Sequence, residues 1–460
     1  MLTAHCCGGA NGRTRRIGRG DMFDAQEQER ILHLPHEQIE EIQLEGIRKT
    51  AVDIYEHVPF YKNLFDEAGF DPYGISSLDD MAAAPFTTKQ DLRDNYPYGL
   101  FARPLEDCVE IHMSSGTTGI ATVGGYTEHD LDFWGDCFGR GVLYGGGGKG
   151  DVMNVCYGYG LFTGGLGAHY GGQAAGCLTI PMSAGNTKRQ IRVMREMGTT
   201  ILCCTPSYAM HIADTALEMG VDPHKDFKLK FGIHGAEPMS DNFRRELEQK
   251  LDYKVLDVYG LTETMGPGVA IECWEQDGLH IAEDHFYAEI IDPETGKVLP
   301  DGEWGELVIT TLDREATPVF RYRTRDITRI IPGECKCGRT HRRIARLHGR
   351  TDDMLILRGV NVFPSQIENV METFPEVASW YQIELTTRNS LDYVTLKVEV
   401  NPDFDFDEVA EIEALQKRMR RKLKDALMIQ VDVQLVEPKT IPRSEGKAKR
   451  VIDMRTGIRD

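Results

Sequence analysis

The 460-residue chain has no apolar run long enough to span a bilayer and no excess of basic charge. Its 52 Lys and Arg stand against 72 Asp and Glu, a formal net charge of −20. The first absence argues against a helical membrane protein. The second argues against a general nucleic-acid or membrane-surface binder, since such partners reward a basic footprint. A disulfide framework is missing too: the 11 cysteines are irregularly spaced, follow no secretory leader, and read as reduced thiols or metal ligands in a cytoplasmic protein. A Walker-type phosphate loop is also lacking. Gly145 to Gly148 and Lys149 come close, but Gly150 stands where Ser or Thr must follow the lysine, and Leu143 where the first glycine belongs. Repeats and low-complexity tracts are absent, and the length exceeds what one core holds, so two or more domains are expected.

Residues 1–21 carry four arginines and no acid before Asp21; they read as a disordered extension, with Met22 opening the folded protein. Ile39, Ile42, Ile47, Ala51 and Ile54 fall near helical spacing, which predicts an amphipathic helix over 37–56 ending near Pro59. Strand-like runs at Val152–Cys156, Cys177–Pro181, Thr200–Cys204, Leu229–His234 and Val255–Tyr259 are separated by stretches long enough for crossover helices. That rhythm predicts βαβ units in a parallel sheet covered on both faces. His285–Ile291 and Trp304–Thr310 flank turn-rich residues and predict a small antiparallel subdomain. Beyond Arg350, strands near Trp380–Leu385, Tyr393–Val400 and Val431–Val436, with a helix about Glu408–Leu427, predict a small α+β unit.

Five constellations carry chemistry. Ser114, Ser115, Gly116, Thr117, Thr118 and Gly119 form a small-residue loop whose glycines, hydroxyls and backbone N–H groups can wrap a phosphate. Gly235, Ala236, Glu237 and Pro238 follow an apolar strand, where ligands bind in open α/β sheets. Asp257, Tyr259, Gly260, Thr262 and Glu263 follow the next strand and combine a flat aromatic with a carboxylate able to hold Mg²⁺ beside phosphates. Asp326, inside an arginine-rich run, can accept from two ribose hydroxyls, and Gly446-Lys447 presents a cation on a turn-rich loop. Nine arginines lie between Arg321 and Arg350 against only Asp326 and Glu334, a locally basic stretch that would steer a polyanion.

In this order the motifs resemble those of the adenylate-forming superfamily, and most closely the phenylacetate–CoA ligases, from Met22 to Arg459. Narrower stretches carry the likeness: Pro85 to Pro97, Tyr157 to Gly165, Thr205 to Tyr208, and Arg358 to Pro364. The resemblance implies an α/β adenylate-forming fold, with a large N-terminal domain over 22–347 (parallel α/β sheets plus a small β subdomain) and a small mobile α+β C-terminal domain over 348–460. It implies ligation of an arylacetic acid, phenylacetate first, to CoA through an acyl-adenylate, using ATP and Mg²⁺ and releasing AMP and pyrophosphate. Ser114 to Gly119 would orient the β- and γ-phosphates. Gly235 to Pro238 would border the adenine, Tyr259 would stack on it, and Thr262 and Glu263 would hold phosphate and magnesium. Asp326 and Arg350 would bind the ribose, and Lys447 would bridge ribose and α-phosphate. Asp352 would be the hinge, and Arg358, Gly359 and Val360 would line the CoA tunnel. Tyr157, Phe162, Gly235, Ala236 and Pro267 would line the acyl pocket.

Two positions depart from the family pattern: Ile120 stands where a lysine is common, and Arg325 where the superfamily often has glycine. Transfer of the acyl group to an amine or carrier-protein thiol stays open, as do a catalytically silent binder of acyl-adenylate or CoA and a homodimeric assembly. Cys273, His280, Cys335 and Cys337 read equally as a structural Zn²⁺ set or as free thiols, with His341 a spare ligand.

Overall fold

In the computed structural model, residues 23–114, 121–350, 355–357, 360–388, 391–406 and 408–455 are described. The expected extension at 1–21 lies outside them. The predicted amphipathic helix spans His36–His57 and buries Ile39, Ile47, Ala51 and Ile54. Gln43 shares that face because its amide donates to the carbonyls of Glu283, at 3.1 Å, and Phe286, at 3.3 Å, which offsets the cost of its burial. A second helix, Pro59–Ala68, starts where Pro59 preorganises the first turn and stops at Gly69 in the left-handed region, φ 66°.

The predicted parallel strands appear as Val152–Val155, Leu178–Pro181, Ile201–Cys204, Phe231–Gly235 and Lys254–Leu261. They lie side by side in a nine-stranded sheet, and Ile201–Cys204 and Phe231–Gly235 are buried at every residue. That explains their unbroken apolar runs. The sheet is mixed rather than wholly parallel. Gly266–Glu272, Leu279–Ile281, Arg343–Ile344 and Ile330–Ile331 extend it as antiparallel neighbours, the first two through short connections that permit hairpin returns and not crossovers. A second sheet pairs Phe286–Ile291, Gly305–Thr311, Tyr322–Thr328 and Gly349–Arg350 antiparallel, as the turn-rich sequence predicts. The expected division at 347/348 falls just before that last strand.

The C-terminal unit packs Val409–Leu427 on a four-stranded sheet in the order Val431–Val436, Leu391–Val400, Val377–Arg388, Val451–Asp453. Leu415, Met419, Leu423 and Leu427 recur every fourth residue and are buried against Leu396, Val398 and Val433. The whole is a large N-terminal α/β unit with a smaller α+β unit behind it. No helix among the described residues is long and apolar enough to cross a membrane.

The small unit docks through specific contacts. Trp380 inserts among Tyr208, Met239 and Phe243 of the large unit, capped by the Arg443 guanidinium 3.9 Å from its ring centre. Ser240 donates to the Glu372 carboxylate, and the Asn242 amide donates to the Glu372 carbonyl at 2.9 Å. Burial pushes the Glu372 carboxyl up to about 7; Glu368 and Asp241 push the same way, opposed by Ser240 and Arg450. A carboxyl raised on docking favours the docked state below its ordinary value, and that advantage fades as pH climbs toward 7. Fluorescence transfer between labels on the two units should therefore report progressive loosening between pH 5 and 7.5, and Glu372→Gln should flatten the profile. An identical profile in both proteins would contradict this assignment.

Candidate active site

The site forms at the carboxyl ends of Phe231–Gly235 and Lys254–Leu261, neighbours in the parallel part of the sheet. Gly235 is required there: a Cβ would stand 2.2 Å from the Val258 carbonyl oxygen. Ala236 follows with φ 69°, a left-handed conformation that an L residue adopts at a cost and that is common where a backbone is shaped for a ligand. Behind this turn His234 is fully buried between the Cys204 carbonyl, 2.9 Å from Nδ1, and the Tyr253 hydroxyl, 2.7 Å from Nε2. Burial lowers its pKa to about 4, so the ring stays neutral and rigid beneath the loop.

Three residues predicted from separate motifs meet. The Tyr259 hydroxyl donates to Asp326 Oδ2 at 2.6 Å, and an Arg350 nitrogen lies 3.3 Å from Asp326 Oδ1. Asp326 is 1% exposed, so these partners compensate a carboxylate taken out of water. Burial, followed by the Asp326 charge, holds the Tyr259 hydroxyl far above its ordinary pKa and keeps it a donor. Gly260 also has no room for a side chain, because its Cβ would collide with the Gly266 carbonyl.

Glu263 is likewise nearly buried. Its Oε1 accepts from the Thr122 hydroxyl at 2.9 Å, and its carbonyl accepts from Arg314 at 2.9 Å. Lys89 Nζ lies 3.5 Å from the same Oε1. Thr122 and Ser114 exchange bonds across the stem of the phosphate loop: each N–H donates across it at 3.0 Å, Ser114 to the Thr122 carbonyl and Thr122 to the Ser114 hydroxyl. Ser115, Gly116, Thr117, Thr118, Gly119 and Ile120 lie outside the described residues, as do Asp352, Arg358 and Gly359. Val360 begins a short strand that pairs with Leu355–Leu357.

Glu237 has a second partner set that sequence reasoning missed. One oxygen accepts from the Ser207 N–H at 3.2 Å, and the other accepts from the Ala448 N–H. The Gly446 carbonyl accepts from Thr205 at 3.2 Å and from Ser207 at 3.4 Å. The loop carrying Lys447 is thereby seated beside Glu237, with the Lys447 side chain exposed. Asp257, half-buried near Glu272, has its carboxyl raised by desolvation and by that neighbouring charge, against Arg244 and Arg346.

Tyr157 is buried, its hydroxyl donating to the Ile233 carbonyl at 3.4 Å, two residues before Gly235. Phe162 is 56% exposed at the N-terminus of the helix Thr163–Ala174. Pro267 lies opposite Gly260 in the strand register. The arginine-rich run does not form a free basic surface: Arg321, Arg323, Arg339, Arg342, Arg343 and Arg346 pair with Glu289, Glu306, Glu29, Glu283, Asp277 and Glu272. These are ion pairs of the fold, and the charge excess visible in sequence is neutralised by acids from other segments.

Cys273, His280, Cys335 and Cys337 converge, their ligand atoms all within 4.8 Å of one another. Cys273 and Cys335 sulfurs are 3.7 Å apart, close to the roughly 3.8 Å edge of a tetrahedral zinc–thiolate site. Cys337 Sγ lies 3.4 Å from His280 Nε2, and His280 Nδ1 donates to the His341 carbonyl at 3.0 Å, which turns Nε2 inward. The donor set fits zinc, with His341 contributing its carbonyl rather than its ring.

The fold and site define an AMP-binding enzyme. Residues 75–312 match the family model described as AMP-binding enzyme, and 359–455 match the AMP-binding enzyme C-terminal domain. The chain is 49% identical over 414 residues to the phenylacetate-coenzyme A ligase of Pseudomonas putida, covering 90% of this chain and 93% of that one. It is 47% identical over 422 residues to the phenylacetate-coenzyme A ligase of Aromatoleum evansii, covering 91% and 95%. The chain belongs to the phenylacetate–CoA ligase family of adenylate-forming enzymes. Among solved structures, 2-hydroxyisobutyryl-CoA ligase in its postadenylation state matches with a TM-score of 0.85 at 27% identity, over 92% of this chain and 90% of that one. The same ligase in its thioesterification state matches with a TM-score of 0.70. The arrangement of the two units is thus more similar to the first of those states.

Tyr259→Phe removes one of the donors to buried Asp326 and should cost about 1–3 kcal/mol of stability. A thermal melt checks this; an unchanged midpoint would contradict the role given to the hydroxyl.

Proposed function

We propose that the protein ligates an arylacetic acid, phenylacetate first, to CoA at the expense of ATP. The observation that carries this reading is that Tyr259, Asp326 and Arg350 bond to one another while Glu263, and Glu237 with the docked Lys447 loop, follow the same two neighbouring parallel strands. The substrate carboxylate attacks the α-phosphorus, pyrophosphate leaves, and the CoA thiol then attacks the carbonyl and releases AMP. Such transfer asks the protein mainly to position groups and to offset developing charge. Asp326 and Arg350 hold the ribose, Tyr259 covers the adenine, and Gly235 to Pro238 border it. Lys447 offsets charge on the α-phosphate. Mg²⁺, held by Glu263 with Thr262 on the phosphate, would supply the remaining counter-charge.

Tyr157, Phe162, Gly235, Ala236 and Pro267 form the acyl slot in this reading, and aromatic contacts there favour an aryl acid by about 1 kcal/mol. Rotation about Asp352 then withdraws Lys447 and brings Arg358, Gly359 and Val360 to the pantetheine chain. The cytoplasm suits the nine described free cysteines, since thiols stay reduced there.

An AMP-release screen with ATP over phenylacetate, indoleacetate, hydroxyphenylacetates, benzoate and short fatty acids tests the reading, run with and without CoA. Arylacetates should lead, CoA should be needed for turnover, and Lys447→Ala should suppress adenylation while sparing CoA transfer from preformed acyl-adenylate. Turnover without CoA in the presence of an amine, or equal loss of both half-reactions, would overturn it.

The cysteine–histidine cluster is assigned a structural Zn²⁺, which would clamp the turn at Cys335–Cys337 to the strand that ends just before Cys273 and the strand that carries His280. Purified protein should contain zinc near one equivalent, and Cys335→Ser should lose both the metal and thermal stability. Zinc far below one equivalent and unaffected by the substitution would sink the assignment.

A further inference from the structure

The phosphate loop has a charge problem. Residues 115–120 read Ser-Gly-Thr-Thr-Gly-Ile and contain no lysine or arginine. As the bond between the α-phosphorus and its bridging oxygen breaks, its electron pair moves onto the leaving pyrophosphate, while the new bond forms from the carboxylate oxygen. The charge growing on the leaving group needs a cation fixed on its side.

Lys89 meets that need. Among the described residues it is the cation whose nitrogen comes within 4 Å of the Glu263 carboxylate, at 3.5 Å. Arg314 is committed elsewhere, donating to the carbonyls of Glu263 and Gly125 and stacking on Tyr126. The Lys89–Glu263 separation exceeds the roughly 2.7–3.2 Å of an N–H···O bond, so the ammonium is held electrostatically and keeps its donors. The Lys89 side chain is 33% exposed and that of Glu263 6%, so the cation opens outward from a buried acid.

The position is fixed by its neighbours. Thr88 caps the turn reciprocally with Asp91, whose Oδ2 accepts from the Thr88 N–H at 2.7 Å and hydroxyl at 2.6 Å. Thr87 is laced to the strand that carries Asp326: its N–H donates to the Arg321 carbonyl at 3.1 Å, and its carbonyl accepts from the Arg323 N–H at 2.9 Å. A rigid backbone thus places one lysine beside the acid assigned to magnesium and two residues from the sheet assigned to ribose. The stretch Pro85 to Pro97, which carried family likeness without a role, acquires one.

We infer that Lys89 is a catalytic residue that binds the pyrophosphate half of ATP and stabilises its departure. The inference rests on the adenylation reading above. Lys89 offsets the Glu263 charge and has donors to offer the phosphates, while Glu263 would hold magnesium, which would supply further counter-charge. No proton is transferred; the lysine acts as a fixed charge.

Three measurements on the full chain test it. Binding of magnesium pyrophosphate, titrated calorimetrically with no acid present, should weaken at least about tenfold in Lys89→Ala, the factor for losing one charge-assisted contact. ATP–pyrophosphate exchange with phenylacetate should fall by a similar factor or more, while acyl transfer from synthetic phenylacetyl-adenylate to CoA stays within twofold of wild type. Lys89→Arg should recover most of both losses. Wild-type pyrophosphate affinity in Lys89→Ala overturns the inference, as does an equal fall in exchange and acyl transfer. Wild-type protein that binds pyrophosphate through Lys89 but exchanges with no acid would instead overturn the substrate reading.

Discussion

A buried carboxylate organises this molecule. Asp326 lies on the antiparallel sheet, its hydroxyl partner Tyr259 on the large mixed sheet, and its guanidinium partner Arg350 on the last strand before the chain departs for the small unit. A carboxylate at 1% exposure is costly to leave without partners, and Tyr259 and Arg350 offset that cost. Two sheets and the root of the interdomain connection are thereby held in one geometry. The proposed nucleotide site is the outer face of that junction, which is why its parts are scattered through the sequence.

Acids also govern how the small unit sits. Glu237 bonds the Ser207 and Ala448 N–H groups, and Glu372 receives the Ser240 hydroxyl. Both contacts place carboxylates where water is scarce, and both are polar and local, so they part without exposing a large apolar face. Trp380 is the exception, an apolar anchor whose indole packs between the large unit's core and Arg443. An interface of a few polar latches around one aromatic anchor suits the docking and release that the proposed two-step mechanism asks of this unit.

Much of the architecture was legible because burial writes itself into composition. Ile201–Cys204 and Phe231–Gly235 are apolar at nearly every residue because both sheet faces are covered, and the helix Val409–Leu427 shows its core side every fourth residue. The antiparallel extension of the large sheet was not legible, since Gly266–Glu272 opens on Gly-Pro-Gly and the strands beyond it are only two or three residues long. The arginines between Arg321 and Arg350 misled for a related reason. Their acidic partners, such as Glu29, Asp277 and Glu283, lie tens to hundreds of residues away, and local charge counting does not see them. Lys89 escaped notice similarly, being one lysine in a polar stretch until the fold set it beside Glu263.

The sequence by itself determined the element types, the two-unit organisation and the family, and it singled out Glu263, Asp326 and Lys447 as candidates, because these follow from local periodicity and short motifs. Only the tertiary structure decided which charges face one another: that Tyr259 and Arg350 share Asp326, that Glu237 bridges to the Lys447 loop, that four zinc-type ligands converge, and that Lys89 stands beside Glu263. The physical reason is range. Hydrogen-bonded helices and strands are selected by residues a few positions apart, whereas ion pairs and metal-type clusters join residues whose separation along the chain carries no record of their distance in space.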